Sequence, residues 1–450
     1  MKTYNGMKGK KVLVLGLAKS GEAAARLLQR LGAEVTINDA KPLEENEQAQ
    51  RLDKEGFQII SGSHPLSLLD QGYELIVKNP GIPYSNPLLQ EAAKRDLLVI
   101  TEIELAYLIS EAEIIAITGS NGKTTTTTLV HHMMNESARN PLIAGNIGTV
   151  ACEVAETATE DDVIVMEVSS FQLMGISTYR PKISVLLNIF DAHLDYHGSK
   201  DAYIDAKANI GANQTDSDFI VYNADDPIVS KMVTNLHATK IPFTQKALLA
   251  NGLSVYHGAL YINAEKLLDV SEIVLPGTHN LENILAAVGA SYVAGAKKEQ
   301  MIHVLKTFVG VEHRLQFVRA LEGRSFYNDS KATNILATKK ALAAFDAPVI
   351  LLAGGLDRGN EFDALIPSLG HVSKLITFGE TATKLKKVAE AAGVATIYEA
   401  NRVDDAVSLA WENSTVGEVI LLSPACASWD QYRTFEERGL EFMSAVMKIG

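Results

Sequence analysis

Short apolar runs recur along this chain, and each stops at a small-residue turn. Val12–Leu15 precedes Gly16, Ile114–Ile117 precedes the turn at Gly119, and Val349–Leu352 precedes Gly354-Gly355. Leu375–Phe378 ends at Gly379 and Val419–Leu422 at Ser423-Pro424. Runs without polar alternation suit strands covered on both faces, and the helix-like segments between them supply the cover. The rhythm predicts an α/β fold class with parallel sheets rather than a helical bundle or a sandwich of alternating strands. A length of 450 residues accommodates about three such domains, and the pattern divides as 1–110, 111–311 and 312–450.

In the first unit Lys11–Leu15 reads as a strand and Gly21–Leu31 as a helix with its apolar face at Ala24, Leu27, Leu28 and Leu31. Glu34–Asn38 and Leu75–Lys78 follow as strands. The turn Gly16-Leu-Ala-Lys-Ser-Gly21 approaches a dinucleotide fingerprint, with Ala18 where the second glycine would stand, and Asp39 closes the second strand where such folds hold a ribose. Nucleotide binding and plain sheet-to-helix packing both fit that turn. The unit is expected to be Rossmann-like, as is the third. In the middle unit strands are expected at Ile114–Ile117, Val163–Val168, Ile183–Leu187 and Phe219–Tyr222. Leu253–Ile262 reads as a hairpin turning at His257-Gly258.

A formal net charge of −13 argues against a nucleic-acid or anionic-membrane partner, because the long-range field repels both. Two cysteines, Cys152 and Cys426, cannot build a disulfide framework and fit a reducing compartment. The apolar run Val12–Ala18 is short and ends at Lys19, so it reads as a first strand rather than a secretion signal. No apolar stretch approaches the roughly 20 residues that span a bilayer. A cytoplasmic enzyme is expected.

The segment Glu113-Ile-Ile-Ala-Ile-Thr-Gly-Ser-Asn-Gly-Lys-Thr-Thr125 carries the clearest chemistry. A strand feeding a glycine turn and a helix aims backbone N–H groups at one small volume, which suits phosphate. Gly119, Ser120, Asn121, Gly122, Lys123, Thr124 and Thr125 form this candidate ATP loop, with Lys123 reaching phosphate and the Thr124 hydroxyl suited to Mg²⁺. The usual spacing requires a glycine five residues before Gly122, where Ile117 stands, so Gly119 is expected to make the turn. The middle domain is therefore expected to be of P-loop ATPase type.

Glu167 ends a strand, and a buried carboxylate there needs a partner. The next strand leads to Asp191, His193, Asp195 and His197, a set able to ligate Mg²⁺, with Glu167 and His193 preferred. A solvated loop fits the same residues. Lys207, on an expected helix, reads as an ordinary exposed lysine. Asn280 and Asn283 offer amides to a purine or ribose, although a helix cap accounts equally well for Asn280. Arg314 supplies a phosphate-binding fork. Asn328-Asp-Ser-Lys-Ala-Thr-Asn334 is denser in polar groups than a turn and cap require. Gly354-Gly-Leu-Asp357-Arg358 and Ser423-Pro-Ala-Cys426-Ala-Ser428 complete a set of strand-end loops able to hold a small anion. Cys426 lacks a nearby histidine and reads as a packing residue.

Taken together these motifs closely resemble the Mur ligase family, from Gly16 to about Gly439. The resemblance implies an ATP-dependent amide ligase of peptidoglycan precursor synthesis. The stretches Gly16–Gly21, Asn328–Asn334 and Leu422–Gln431 point to the branch that adds D-glutamate to UDP-N-acetylmuramoyl-L-alanine. It implies Lys123, His193 and Lys207 as catalytic residues. Asn283, Arg314 and Asp329 would meet adenine, phosphate and ribose. Thr124, Glu167, His193 and Lys207 would serve two Mg²⁺ ions, with Lys207 carbamylated. Gly16, Ala18, Ser20, Asp39, Asn79 and Asn146 would line the UDP-sugar site; Lys331, Thr333, Ser428 and Phe435 would hold D-glutamate. Arg358, adjacent to Asp357, departs from the family pattern. A monomer with small-molecule partners alone is expected. The alternatives are a folylpolyglutamate synthase-like ligase, although a whole α/β unit precedes the loop here, and a nucleotide-binding switch. A dehydrogenase built on the first unit gives residues 113–125 no role.

Overall fold

The computed structural model describes every residue except Thr3, Asp191, Ala192, Pro276 and Gly450, together with the side chains of Asp195, Thr278 and His279. The chain divides into two compact units, Met1–Ser271 with Glu282–Val304, and Glu272–Leu281 with Leu305–Gly450.

The first unit holds two sheets. Strands β1 (Lys11–Leu15), β2 (Glu34–Asp39), β3 (Gln58–Ser61), β4 (Leu75–Lys78) and β5 (Leu98–Ile100) form a wholly parallel sheet in the order β3-β2-β1-β4-β5. Chain order reverses between β1 and β4, so the loops after those two strands flank a crevice at their carboxyl ends. Val12 and Val14 enter one core cluster and Leu13 and Leu15 another, which is the two-residue strand period with both faces covered.

The second sheet has nine strands: β6 (Glu113–Thr118), β7 (Asn140–Gly145), β8 (Asp162–Glu167), β9 (Ile183–Leu186), β10 (Phe219–Asn223), β11 (Thr239–Thr244), β12 (Leu253–Tyr256), β13 (Ala259–Ile262) and β14 (Glu265–Asp269). Their order is β14-β13-β12-β11-β10-β9-β6-β8-β7, parallel except at β13, which pairs antiparallel with both β12 and β14. The expected hairpin forms: Tyr256 pairs with Ala259, and both His257 and Gly258 take left-handed φ values, the twist-matched two-residue turn. A second such turn at Asn263-Ala264 links β13 to β14 and carries only a weak sequence signal.

Val12 and Val14 of the first sheet and Ile114, Ala116, Ile164 and Met166 of the second belong to one core cluster, so the two sheets share apolar cover. Buried acids on the Glu102–Ile109 helix join them further. Glu104 accepts from the backbone N–H groups of Ser177, Thr178 and Tyr179 and from the Thr178 hydroxyl. Those bonds replace the hydration that burial removes.

The second unit carries β15 (Gln316–Leu321), β16 (Arg324–Asn328), β17 (Val349–Gly354), β18 (Val372–Phe378), β19 (Thr396–Glu399) and β20 (Val419–Leu422), in the order β15-β16-β20-β17-β18-β19. Only the β15–β16 pair is antiparallel among the described strands. Val349 and Leu351 face one core cluster and Ile350 and Leu352 the other. Among the described residues no helix is long and apolar enough to cross a membrane.

Burial pushes the Glu102 carboxyl up from 4.5 to about 7, even though the Cys152 backbone N–H donates to it. In the unfolded chain the group titrates near its ordinary value, so the neutral carboxyl's contribution is complete below that value and is lost as pH rises through about 7. Glu102→Gln keeps the acceptor without titrating. Its gain in unfolding free energy over the parent is expected to grow from below about 1 kcal/mol near pH 5 to about 3 kcal/mol near pH 8.5 in denaturant melts. Parallel pH profiles for the two proteins would contradict this account.

Candidate active site

The β6 strand runs into Gly119-Ser-Asn-Gly122, and the Lys123–Met134 helix begins directly after it. Ile117, standing where the usual motif has glycine, is fully buried in the strand and pairs with Glu167 and Val185. The sharp turn falls at Gly122, with φ +82°, rather than at Gly119 as expected. A Cβ at Gly122 would lie 2.0 Å from Asn283 Oδ1. Gly119 serves close packing instead, since a Cβ there would approach Leu187 Cβ at 2.8 Å. Asn188 Oδ1 accepts from the Asn121 N–H, and Ser120 shares a hydrogen bond with the Tyr203 hydroxyl. The loop is thus anchored from the neighbouring strand end and from the Lys200–Ala208 helix.

Lys123 Nζ donates to Gly119 O at 2.8 Å and Ser120 O at 3.1 Å. Lys207 reaches the same Gly119 carbonyl at 2.9 Å and Thr118 Oγ1 at 3.2 Å. It is 2% exposed, which reverses the reading of Lys207 as a surface lysine. Its ammonium form is strongly disfavoured, first by burial and then by the Lys123 charge, against a smaller opposing pull from Glu167. The Tyr203 ring lies 4.9 Å from Lys207 Nζ. Glu167, also buried, accepts from Thr124 Oγ1 and from Asn146 Nδ2, each at 2.8 Å. Asn146, assigned by resemblance to the sugar site, holds the carboxylate in this structure. The neighbouring hydroxyl and carboxylate are hard oxygen ligands that fit Mg²⁺, which keeps most of its shell for water and substrate phosphate. Among the described residues no cluster of three or more His, Cys, Asp or Glu side chains gathers for a metal.

His193 is exposed, takes a left-handed φ of 54°, and precedes the short Leu194–His197 helix. Its ring meets Phe171 edge-on at 4.9 Å. His197 stacks on the same Phe171 ring, 5.4 Å between centroids, and shares a hydrogen bond with Ser170. The Asp191 expectation and the Asp195 side chain lie outside the described residues.

At the crevice of the first sheet, Gly16 takes φ +88°, and a Cβ there would strike Ile82 and Asn79. Ser20 accepts from Asn79 Nδ2, and Asn79 Oδ1 accepts from Gly81 N–H. Ala18 caps the Lys19–Arg30 helix without a side-chain bond. Asp39 accepts from the Leu17 N–H and from the Lys41 N–H, which holds the turn after β1.

In the second unit Asn328, Asp329 and Ser330 emerge from β16. Asn328 is buried and bonded to His313, Gln316, Gly439 O and Ser330 N–H, and Asn334 caps the Ile335–Leu342 helix. Much of the dense polar set is therefore scaffolding. Asp329 accepts from Ser423 Oγ and Leu315 N–H, yet burial still raises its carboxyl to about 7. Arg314, on the loop preceding β15, acts electrostatically to lower it. Lys331 Nζ lies 5.0 Å over the Phe435 ring, and Thr333 N–H donates to Lys331 O. Ser428 Oγ is buried with no hydrogen-bond partner among the described residues. Arg358 stacks on the exposed Trp429, and Asp357 pairs with Lys384. Cys426 is buried, with its thiol pushed up to about 11, which agrees with a packing role. Sequence reasoning passed over Arg438, which is fully buried and donates to Ser330, Gly354 O and Cys426 O.

Fold and site define an α/β protein of three sheets with a glycine turn between a strand and a helix at its centre. Models of a Mur ligase MurD-like N-terminal domain, a Mur ligase middle domain and a Mur ligase glutamate ligase domain match residues 10–101, 117–291 and 313–426. The chain is 60% identical over 437 residues to a Halalkalibacterium halodurans protein, covering 97% of each. It is 58% identical to a Geobacillus kaustophilus protein, covering 98% of each, and 55% identical to one from Bacillus anthracis over the full length of both. All three are named UDP-N-acetylmuramoylalanine–D-glutamate ligase. The fold is similar to that of UDP-N-acetylmuramate-alanine ligase from Thermotoga maritima, with a TM-score of 0.59, 18% identity and coverage of 97% and 99% of the two chains. It is also similar to MurF ligase of the same organism, with a TM-score of 0.56, 17% identity and coverage of 99% and 97%. The chain belongs to the Mur ligase family.

Gly122→Ala tests the cradle. The substitution meets both left-handed strain and the Asn283 amide, so ADP affinity is expected to fall at least about tenfold by calorimetry, from strain of roughly 1–2 kcal/mol plus the lost fit. Unchanged ADP affinity would remove Gly122 and Asn283 from the nucleotide site.

Proposed function

We propose that the chain is an ATP-dependent ligase that joins D-glutamate to the carboxylate of UDP-N-acetylmuramoyl-L-alanine, acting in the cytoplasm in peptidoglycan precursor synthesis. The observation carrying this reading is the 60% identity, over 97% of the chain, to a relative named for that reaction. The buried Glu167, Thr124, Lys123 and Lys207 around one glycine turn support the nucleotide half of it.

The substrate carboxylate oxygen attacks the γ-phosphorus of ATP, an acyl phosphate forms, and ADP leaves. The D-glutamate nitrogen then attacks the acyl carbon, the tetrahedral species collapses, and phosphate leaves as the nitrogen loses its proton to solvent. Lys123 exchanges the carbonyls of its own loop for the terminal phosphate oxygens, where its charge offsets the charge gathering in transfer. Thr124 and Glu167 would hold Mg²⁺, which would supply positive charge to offset that of the phosphate groups. Asn146 fixes the rotamer of Glu167. Asn283 contacts the nucleotide side of the Gly122 turn, and Arg314 and Asp329 serve phosphate and ribose. Gly16, Ala18, Ser20 and Asn79 line the UDP-sugar crevice, with Asp39 holding the Gly16–Leu17 turn. The Ser428 hydroxyl, Lys331, Thr333 and Phe435 receive D-glutamate.

Lys207 has a distinct task. A buried amine that resists protonation can add CO₂, forming an N–C bond and releasing one proton, and the resulting carbamate is a second carboxylate beside Glu167. With it the site can serve two Mg²⁺ ions together with His193.

Phosphate release from ATP is expected to require UDP-N-acetylmuramoyl-L-alanine and D-glutamate together, with L-glutamate or dihydrofolate failing to substitute. Release indifferent to those two substrates sinks the assignment. Labelling with ¹³CO₂ is expected to give one carbamate carbon resonance that Lys207→Ala abolishes, with activity falling at least about a hundredfold. A fully active Lys207→Ala variant removes the carbamate from the mechanism.

A further inference from the structure

Lys78 ends β4 at the point where the first sheet reverses its order, and it is 1% exposed. Its amine meets three backbone carbonyls of the loop that follows: Asn79 O at 3.3 Å, Pro80 O at 3.3 Å and Ile82 O at 2.9 Å. The fourth contact is the Tyr196 hydroxyl at 3.2 Å, and the Tyr84 ring closes over the amine at 4.8 Å. No carboxylate pairs with it among the described residues, and burial alone pushes the amine down to about 7. A cation placed where its charge is disfavoured is not there for stability. Its geometry does something else: it gathers the carbonyls of Asn79–Ile82 on one side of the loop.

Tyr196 comes from a distant part of the chain. Its hydroxyl donates to the same loop, with Pro80 O at 2.7 Å and Ile82 O at 2.9 Å. Its ring packs on Phe171 at 4.3 Å, and Phe171 in turn meets His193 at 4.9 Å. One tyrosine therefore ties the backbone beside Asn79 to the segment that carries His193, whose left-handed φ needs such support.

We propose that Lys78 and Tyr196 form a latch that positions the Asn79–Ile82 substrate loop and the His193 segment as one piece, making both of them positioning residues for the ligase reaction. The inference rests on the reading above that Asn79 lines the UDP-sugar crevice and His193 serves the metal side. A latch of this kind lets the loop that receives the UDP-linked substrate and the imidazole on the phosphate side hold a fixed separation, so that the carboxylate enters already aligned.

Tyr196→Phe removes a hydroxyl and little else. Calorimetric titration of the metal-free, nucleotide-free protein with UDP-N-acetylmuramoyl-L-alanine is expected to show about fivefold weaker binding, the size of one net hydrogen bond. In steady-state assays the half-saturating Mg²⁺ concentration is expected to rise about threefold while the KM for D-glutamate stays unchanged. Lys78→Met is expected to do the same more strongly; if it fails to fold, the Phe variant decides. A purely structural role would lower the melting temperature and the active fraction and leave these constants alone, and that result overturns the latch. Asn79→Ala separates the two readings. If it weakens substrate binding and Tyr196→Phe does not, the latch is wrong and the crevice stands. If neither changes binding, the crevice assignment itself fails and the latch falls with it.

Discussion

The carbonyl of Gly119 accepts from two amines, Lys123 and Lys207, and the rest of the site is arranged around that convergence. Two unit charges a few ångströms apart repel by several kcal/mol at the effective dielectric of a protein interior, about 4 kcal/mol at 4 Å. Glu167 lies near enough to act on Lys207, but its pull ranks below both burial and Lys123. The balance disfavours the protonated form of Lys207. A single strand end thus presents two amines and a carboxylate on adjoining elements, with burial disfavouring the charge of one amine, Lys207.

That arrangement follows from parallel-sheet geometry. In each sheet the loops after the strands leave from the same edge, so polar residues far apart in sequence collect there. The β6 turn brings Gly119–Thr124, β8 brings Glu167, and β7 ends at Gly145 beside Asn146. In the second unit β16, β17 and β20 are neighbours, and their following loops supply Asp329 and Ser330, Gly354-Gly355, and Ser423 to Ser428. The left-handed Gly122 is the most demanding detail, because any side chain there would displace Asn283.

The strands themselves were legible because an apolar run of four or five residues between turn residues has few other ways to be buried. The strand, glycine turn and helix were legible for the same reason, with the turn misplaced by three residues: nothing in Gly-Ser-Asn-Gly says which glycine takes positive φ and which merely packs. Lys207 was legible only by resemblance. Its helix has Asp201, Asp205 and Lys200 on it and looks solvated, and burial came from Tyr203, Thr118 and the turn carbonyl, all supplied by tertiary packing. Asp39 read as a ligand residue from its place at a strand end and Asn146 from resemblance alone, and in the fold they also bond protein groups, the Leu17 and Lys41 amides and the Glu167 carboxylate. Nearest-neighbour pattern cannot reveal the Leu17–Asp39 and Asn146–Glu167 bonds, which span 22 and 21 residues.

A second regularity emerges from the buried basic side chains. Lys78 sits on three carbonyls after β4, Lys207 on the carbonyl after β6, and Arg438 on carbonyls of the loops after β16 and β20 and on that of Gly354 at the end of β17. Burial pushes the Arg438 guanidinium down to about 10, and no carboxylate pairs with it among the described residues. Strand-end loops that turn their N–H groups toward an anionic ligand must turn carbonyls the other way, and those carbonyls need donors that water cannot supply once the loop is packed. A side-chain cation meets several at once, as neutral donors of one or two hydrogens do not. Its burial costs stability, since replacing such groups by apolar ones is often neutral or favourable, so persistence at three loop sets in a chain with net charge −13 argues for conformational specificity.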